Sequence, residues 1–308
     1  MKDSGWVRWL PLVVALWACG GGEVETPDAV AEATGPLAVY TVNYPLAYLA
    51  ERVGGDAVEV VFPVPPGVDP AHWTPSADVI GRYQGADVIL LSGAGYAQWV
   101  ETAALPGARL VDTSYEFTRP FILRDQAVTH SHGPMGMHSH KEMAAEVWLD
   151  LTQAIAQAER IAATFAERRP QRAVEIEERL AALRTELEEL DAEMAAILEP
   201  FREAEVVASH PAYDYLARRY ALDLEAVTWE PDEAPTAEMW AHFDERLAHA
   251  GWSWMLWHGE PLPETRAQLA ERGVEVVVFE PLANRPDEGD FVAAMRRNVD
   301  NLRAALAD

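Results

Sequence analysis

The sequence is 308 residues long and strongly acidic, with 50 Asp and Glu against 24 Lys and Arg and a net charge of −26. A chain of this charge lacks the positive surface that displaces counterions from phosphates, which argues against nucleic-acid binding. Cys19 is the single cysteine, so the chain forms no internal disulfide and no cysteine-rich zinc site. The apolar fraction of 49% allows packed cores, and the length allows two domains.

The N-terminal residues have the pattern of a secretory signal. Lys2 and Arg8 flank the start, and an apolar run over 9–17 follows. The run is too short for a comfortable membrane span. We therefore predict an exported protein, with an uncleaved membrane anchor as the alternative.

Cys19 follows a small residue at the end of this run. The sequence from Leu16 to Cys19 resembles a bacterial lipobox, in which the cysteine becomes the lipidated first residue. We predict that residues 1–19 are a lipoprotein signal peptide and that Cys19 carries a lipid anchor. Residues 20–36 are rich in Gly, Ala, Glu and Pro, which is typical of a flexible tether.

Strand-like and helical stretches alternate from residue 37 onward. Apolar strands are predicted at 37–42, 58–64, 87–91, 109–112, 205–208, 224–227, 254–257 and 274–279. Helices are predicted at 45–53, 76–84, 96–103, 147–168, 171–199, 212–220, 237–250, 264–272 and 290–307. Continuous apolar strands that alternate with helices indicate parallel sheets covered on both faces.

One predicted helix is much longer than the others. Apolar residues recur at spacings of three and four along 171–199, a helix of about 43 Å. This period lasts only about four heptads, so we favour a connector over a coiled-coil dimer and expect a monomer. The predicted fold class is α/β, with two doubly wound lobes at 37–169 and 201–308 joined by a linker helix at 170–200.

Four separate segments contain candidate metal ligands. His72 lies on the loop after the second predicted strand, whereas His210 and Glu280 directly follow later strands. Ligands of open α/β sheets bind beyond the carboxyl ends of strands. The loop over 130–140 holds four His in eleven residues, a composition typical of metal capture. Each residue taken alone has the alternative of a packed or solvent-facing side chain.

The four segments come from both predicted lobes. Three imidazoles and one carboxylate between the lobes would suit tetrahedral zinc. Four protein ligands leave no position for an activated water, so we predict binding and no catalysis. The sequence also contains no His-Glu-x-x-His or Gly-x-Ser-x-Gly motif, which disfavours the alternative of a metallohydrolase.

Several motifs occur together along the chain. They are Val42-Asn43-Tyr44-Pro45-Leu46, Gly54-Gly55-Asp56, the proline-rich segment 63–70, Ser209-His210-Pro211-Ala212-Tyr213 and Glu260-Pro261. This combination resembles the zinc/manganese solute-binding family of ABC importers, over nearly the whole chain from Leu37 onward. The resemblance implies two α/β lobes joined by a single long helix and a metal ion bound between them.

The resemblance also implies a ligand set. The first His of the family usually follows an Asp-Pro pair directly, and here Ala71 intervenes before His72. The second His of the family lies two residues before Trp-Leu-Asp, where this chain has Glu146. Either Glu146 coordinates the metal or a His of the preceding loop replaces it, and we favour His140, then His138.

The remaining two ligands match the family more directly. His210 occupies the third position, which is His in zinc-type members and often Glu in manganese-type members. Glu280 lies where the family commonly has an Asp ligand. The implied set is therefore His72, His140, His210 and Glu280, which favours zinc over manganese. We place His258 near the cleft but outside this set.

The expected function follows from these observations. We predict a periplasmic or otherwise extracytoplasmic, membrane-anchored lipoprotein that delivers zinc to the permease of a metal ABC importer. A surface metal-binding adhesin or scaffold lipoprotein is the alternative.

Overall fold

A computed structural model of the protein describes residues 35–124 and 143–306. The signal peptide, Cys19, the tether, and the His-rich loop with His138 and His140 lie outside the described residues. The strands of the described part form two parallel sheets, and their helices cover them. None of the helices within 35–124 and 143–306 is long and apolar enough to cross a membrane.

The first sheet has the strand order β2-β1-β3-β4, and all its pairs are parallel. Its strands are β1 Leu37–Thr41, β2 Val58–Val61, β3 Val88–Leu91 and β4 Leu110–Asp112. Its helices are α1 Tyr44–Gly54, α2 Ala77–Gly85, α3 Trp99–Thr102 and α4 Leu151–Arg168. Asn43 begins α1, because its side-chain oxygen accepts a hydrogen bond from the Leu46 amide at 3.0 Å.

The second sheet has the equivalent order β6-β5-β7-β8 and is also parallel. Its strands are β5 Glu205–Ala208, β6 Asp223–Ala226, β7 Trp254–Trp257 and β8 Glu275–Val278. Its helices are α6 Asp214–Tyr220, α7 Ala237–Ala250, α8 Pro263–Glu271 and α9 Phe291–Ala305. The fold is therefore two parallel-sheet α/β lobes, which confirms the predicted fold class.

Helix α5, Ala173–Leu198, lies between the two sheets in the chain and contacts elements of both. It packs against α1 and α4 of the first sheet's helices and against α9 of the second sheet's helices. Its buried side chains recur every three or four residues: Ile176, Leu180, Leu183, Leu187, Leu190, Met194 and Leu198. This apolar stripe is covered within the chain, so it needs no partner helix of a coiled coil.

Two predicted helices begin three or four residues later than expected. The helix predicted at 96–103 is only α3, because Ala94 and Ala97 have φ values of 54° and 58° and form turns. The adjacent Gly93 has φ 79°, and a Cβ there would lie 1.9 Å from the hydroxyl oxygen of Ser114. The helix predicted at 147–168 begins at Leu151. Asp150 caps its start, because the Asp150 side chain accepts a hydrogen bond from the Thr152 amide at 3.1 Å.

Candidate metal-binding site

A cleft begins where loops that follow strands of both sheets meet, and it continues along β8 and α9 with a total volume of 1390 Å³. Its lining includes three of the predicted ligands, His72, His210 and Glu280, together with the alternative ligand Glu146. The cleft also contains acidic and imidazole side chains outside the predicted set: Asp69, Glu230 and His258. Position beyond the carboxyl ends of parallel strands is the usual location of a ligand site in this type of fold.

The loop after β2 presents His72 on a short turn built by Asp69. One Asp69 carboxylate oxygen accepts from the Ala71 amide at 2.9 Å, and the other lies 2.6 Å from Nδ1 of His72. Burial raises the pKa of Asp69, but the hydrogen bonds from His72 and Ala71 outweigh it and lower the pKa overall. Because an ionised carboxylate only accepts, Nδ1 carries the proton, and in the neutral ring the lone pair is then on Nε2 of His72.

The loop after β8 holds the His72 loop from the other side. The side-chain nitrogen Nδ2 of Asn284 donates to the carbonyl oxygens of Pro65 and Val68 at 2.7 and 2.8 Å. The Arg285 guanidinium donates to the Phe62 carbonyl oxygen at 3.1 Å. These contacts join a loop of the second sheet to a loop of the first, directly before His72.

Glu280 is held at its backbone by α9. The Asn298 side chain accepts from the Glu280 amide at 3.0 Å and donates to the Glu280 carbonyl oxygen at 2.9 Å. The buried Tyr213 hydroxyl donates to the Phe279 carbonyl oxygen at 2.7 Å. The main chain is therefore fixed on both sides of the Glu280 Cα, and Glu280 is one of the residues that line the cleft.

His210 lies beside a second imidazole and a carboxylate. The ring centroids of His210 and His258 are 5.2 Å apart. Glu230 lies 3.7 Å from Nδ1 of His210 and 3.3 Å from Nε2 of His258. Burial lowers the pKa of both imidazoles, and Glu230 opposes this effect. Both rings are therefore favoured in the neutral form, which is the form that His210 needs to bind a metal ion.

Glu146 lies on the segment before α4 and is largely buried. Burial raises the pKa of Glu146 to about 7, against the lowering effect of Arg124. The Arg124 guanidinium is 3.7 Å from Glu146 and 2.7 Å from Asp214. Burial, together with the charges of Asp69 and Glu146, raises the pKa of Tyr96 well above its ordinary value. The Glu146 carboxylate therefore lies in a poorly solvated part of the cleft wall.

These donors share a cleft, but they do not form a closed coordination shell in the structure. Among the residues that the structure describes, no group of three or more His, Cys, Asp or Glu is close enough to hold a metal ion. His210 nevertheless lowers the pKa of Asp69, and Asp69 raises the pKa of His210, although the two residues belong to loops of different sheets. The chemistry of the donor set, neutral imidazoles and carboxylates, is that of a cation site.

Glu230 and Asp69 were not predicted from the sequence as residues of the site, and His258 was predicted to lie outside the ligand set. Asp69 belongs to the proline-rich segment 63–70, and its spacing of three residues from His72 is the signal for the turn. Glu230 follows β6 and His258 directly follows β7, so the rule for carboxyl ends of strands would have selected both. His242 and His249 are exposed on α7 and do not line this cleft.

Comparison with known proteins gives a match over nearly the whole described chain. The family model "Zinc-uptake complex component A periplasmic" matches residues 39–305. The zinc-binding lipoprotein AdcA of Streptococcus pneumoniae is 25% identical over 292 residues, 88% of this chain and 56% of AdcA. The chain thus spans little more than half the length of that relative. The metal ABC transporter substrate-binding lipoprotein FimA of Streptococcus parasanguinis is 23% identical over 97% of this chain and 96% of FimA.

Solved structures show the same fold. Zn(II)-bound AdcA from Streptococcus pneumoniae has a TM-score of 0.74 and 22% identity, covering 89% of this chain and 58% of AdcA. A crystal structure of ZnuA has a TM-score of 0.68 and 25% identity, covering 88% of this chain and 99% of ZnuA.

Proposed function

This chain belongs to the zinc-uptake complex component A periplasmic family, and from that premise we propose that it is the solute-binding component of a metal ABC importer that captures zinc. The observation that carries the proposal is the shared cleft. Loops of two different sheets bring His72, His210 and Glu280 to one cavity. The names of the relatives agree, since AdcA is a zinc-binding lipoprotein and FimA a metal ABC transporter substrate-binding lipoprotein.

We propose His72, His210 and Glu280 as three of the zinc ligands. The fourth is His140, with His138 and Glu146 as the alternatives. Imidazole nitrogens dominate this set, which favours zinc over manganese because manganese prefers oxygen ligands. Zinc is the transported cargo in this proposal and is passed to a permease, so the protein needs no catalytic group.

The location of the protein follows from its N-terminal sequence. We propose that Cys19 carries a lipid that anchors a monomeric, extracytoplasmic protein to a membrane. Residues 20–36 would then tether the lobes at 37–169 and 201–308, joined through 170–200, close to the permease. Labelling of the full-length protein with a radioactive fatty acid should depend on Cys19.

The test of metal capture is zinc content and chelator competition on purified wild-type protein beside His210→Ala. His242→Ala is the matched control, because His242 is an exposed imidazole on α7. We expect one tightly bound zinc in the wild type and the control, and a much weaker site in His210→Ala. Binding that is absent, or unchanged by His210→Ala, would refute the inter-lobe zinc site and favour the adhesin or scaffold alternative.

A further inference from the structure

A chain of polar contacts leads from the buried Ser209 to His210 through two residues that are distant in the sequence. The Ser209 hydroxyl oxygen lies 3.0 Å from Nδ1 of His258. Nε2 of His258 lies 3.3 Å from one carboxylate oxygen of Glu230. The other carboxylate oxygen of Glu230 lies 3.7 Å from Nδ1 of His210. Serine, imidazole, carboxylate and imidazole therefore follow one another, and the last three of these residues line the cleft.

The hydrogen-bonding chemistry of these groups gives the contacts a direction. The Glu230 carboxylate can only accept, so the facing Nε2 of His258 is the nitrogen that carries hydrogen. In a neutral imidazole the other nitrogen, Nδ1, is then an acceptor, and the Ser209 hydroxyl donates to it. Both nitrogens of His258 are thereby engaged, which leaves this ring without a free lone pair for a metal.

Nδ1 of His210 is the group at the end of this chain. This atom is buried and has no hydrogen-bond partner within the described residues. A buried polar atom of this kind is uncommon, because native structures satisfy nearly all of them. The nearest carboxylate is that of Glu230, and 3.7 Å is about half an ångström beyond hydrogen-bond distance. A small rotation of the exposed Glu230 side chain would close this gap.

We propose that Glu230 and His258 are positioning residues for His210. Glu230 accepts a hydrogen from Nδ1 of His210, which directs the lone pair of Nε2 into the cleft. His258, held by Ser209, keeps the Glu230 carboxylate in place. The inference rests on the proposed function, because it assumes that His210 binds the metal, and it adds the residues that orient this ligand. Mutation of a carboxylate that accepts a hydrogen bond from a metal-bound imidazole commonly lowers metal affinity by about 10- to 100-fold.

The experiment compares Glu230→Gln and His258→Gln with wild type in the full-length protein. Zinc affinity is measured by chelator competition, and the tautomer of His210 is read from ring ¹⁵N NMR of the metal-free protein at constant pH. We expect Nδ1–H to dominate in the wild type. Glu230→Gln should shift the ring towards Nε2–H and weaken zinc binding about 10- to 100-fold. Glu233→Gln is the matched control, because Glu233 is an exposed carboxylate of the same loop.

The outcomes separate this inference from the function on which it rests. If His210→Ala loses zinc but Glu230→Gln retains wild-type affinity and tautomer, the positioning role is wrong and the proposed function stands. If His210→Ala retains zinc, the proposed function itself is wrong. X-ray absorption of the zinc-loaded protein gives a further check. One imidazole fewer around zinc in His258→Gln would make His258 a ligand and overturn its role as a support of Glu230.

Discussion

The indole nitrogen of Trp148 donates a hydrogen bond to the Pro281 carbonyl oxygen at 2.7 Å. Trp148 is fully buried and lies three residues before the start of α4 in the sequence. Pro281 directly follows the predicted ligand Glu280. This bond joins a segment that packs with the first sheet to a loop of the second. Packing of the buried Trp148 therefore helps to fix the position of the main chain next to Glu280.

Trp148→Phe should affect both stability and zinc binding. The aromatic packing is largely kept, but the Pro281 carbonyl loses its donor, which costs about 1–3 kcal/mol when the acceptor stays buried. We expect a lower melting temperature and weaker zinc affinity, because the peptide next to Glu280 is less fixed. Trp240→Phe, in the separate aromatic core of the second sheet, should lower stability alone. Wild-type zinc affinity in Trp148→Phe would contradict this connection.

Asn284→Ala should loosen the loop that presents His72. The Asn284 side chain donates to the carbonyl oxygens of Pro65 and Val68, and each such bond contributes about 1 kcal/mol. We expect zinc affinity to fall about tenfold, measured by chelator competition. Gln84 lies on α2, and its side chain donates a comparable hydrogen bond to the Ala104 carbonyl oxygen at 3.0 Å. Gln84→Ala removes this bond and should leave zinc affinity unchanged. Equal zinc affinities in the two variants would argue that the bonds from Asn284 to Pro65 and Val68 have no role in zinc binding.

The raised pKa of Glu146 predicts a pH dependence of stability in the metal-free protein. Burial raises this pKa from 4.5 to about 7, so the folded state holds the proton more tightly than the unfolded state. The resulting stabilisation is complete below about pH 4.5 and is lost as the pH rises through 7. Between these values the free energy of unfolding of wild type should fall relative to Glu146→Gln, by at most about 3 kcal/mol.

Denaturant titrations at several pH values measure this difference. Glu188→Gln, at an exposed position on α5, is the control and should follow the wild-type curve. Parallel curves for wild type and Glu146→Gln would show that folding does not raise the pKa of Glu146.

The identity of the fourth ligand can be tested by substitution. We expect His140→Ala to weaken zinc binding by about tenfold or more, equivalent to 1.4 kcal/mol, while His130→Ala leaves the affinity close to that of wild type. If Glu146→Gln at pH 7 causes the larger loss, Glu146 is the ligand in place of a His of the loop. His138→Ala then distinguishes His138 from His140, the two histidines of this loop that lie nearest to α4 in the sequence.

The long helix and the parallel sheets could be predicted because their signals are local. The stripe of Leu180, Leu183 and Leu187 has helical spacing, and these three side chains are buried as expected. The short α3 could not be predicted, because a positive φ at Ala94 and Ala97 depends on the surrounding turn rather than on residue type.

The composition of the cleft was only partly predictable. His72, His210 and Glu280 stand near strand ends, so their shared location follows from the topology of a parallel sheet. The contact between His210 and His258 depends on β5 and β7 being neighbours, although β6 and α7 lie between them in the chain. No local sequence pattern encodes this strand order, and Glu230 becomes relevant only when the two rings are adjacent.

Anomalous diffraction at the zinc edge, from crystals of the zinc-loaded protein, would locate the metal between the loops of the two sheets. We expect a single strong peak in the cleft, about 2.0–2.2 Å from Nε2 of His72, Nε2 of His210 and a carboxylate oxygen of Glu280. A peak confined to the His-rich segment 130–140, or a zinc ion in the cleft without contact to His210 and Glu280, would refute a zinc site between the two sheets.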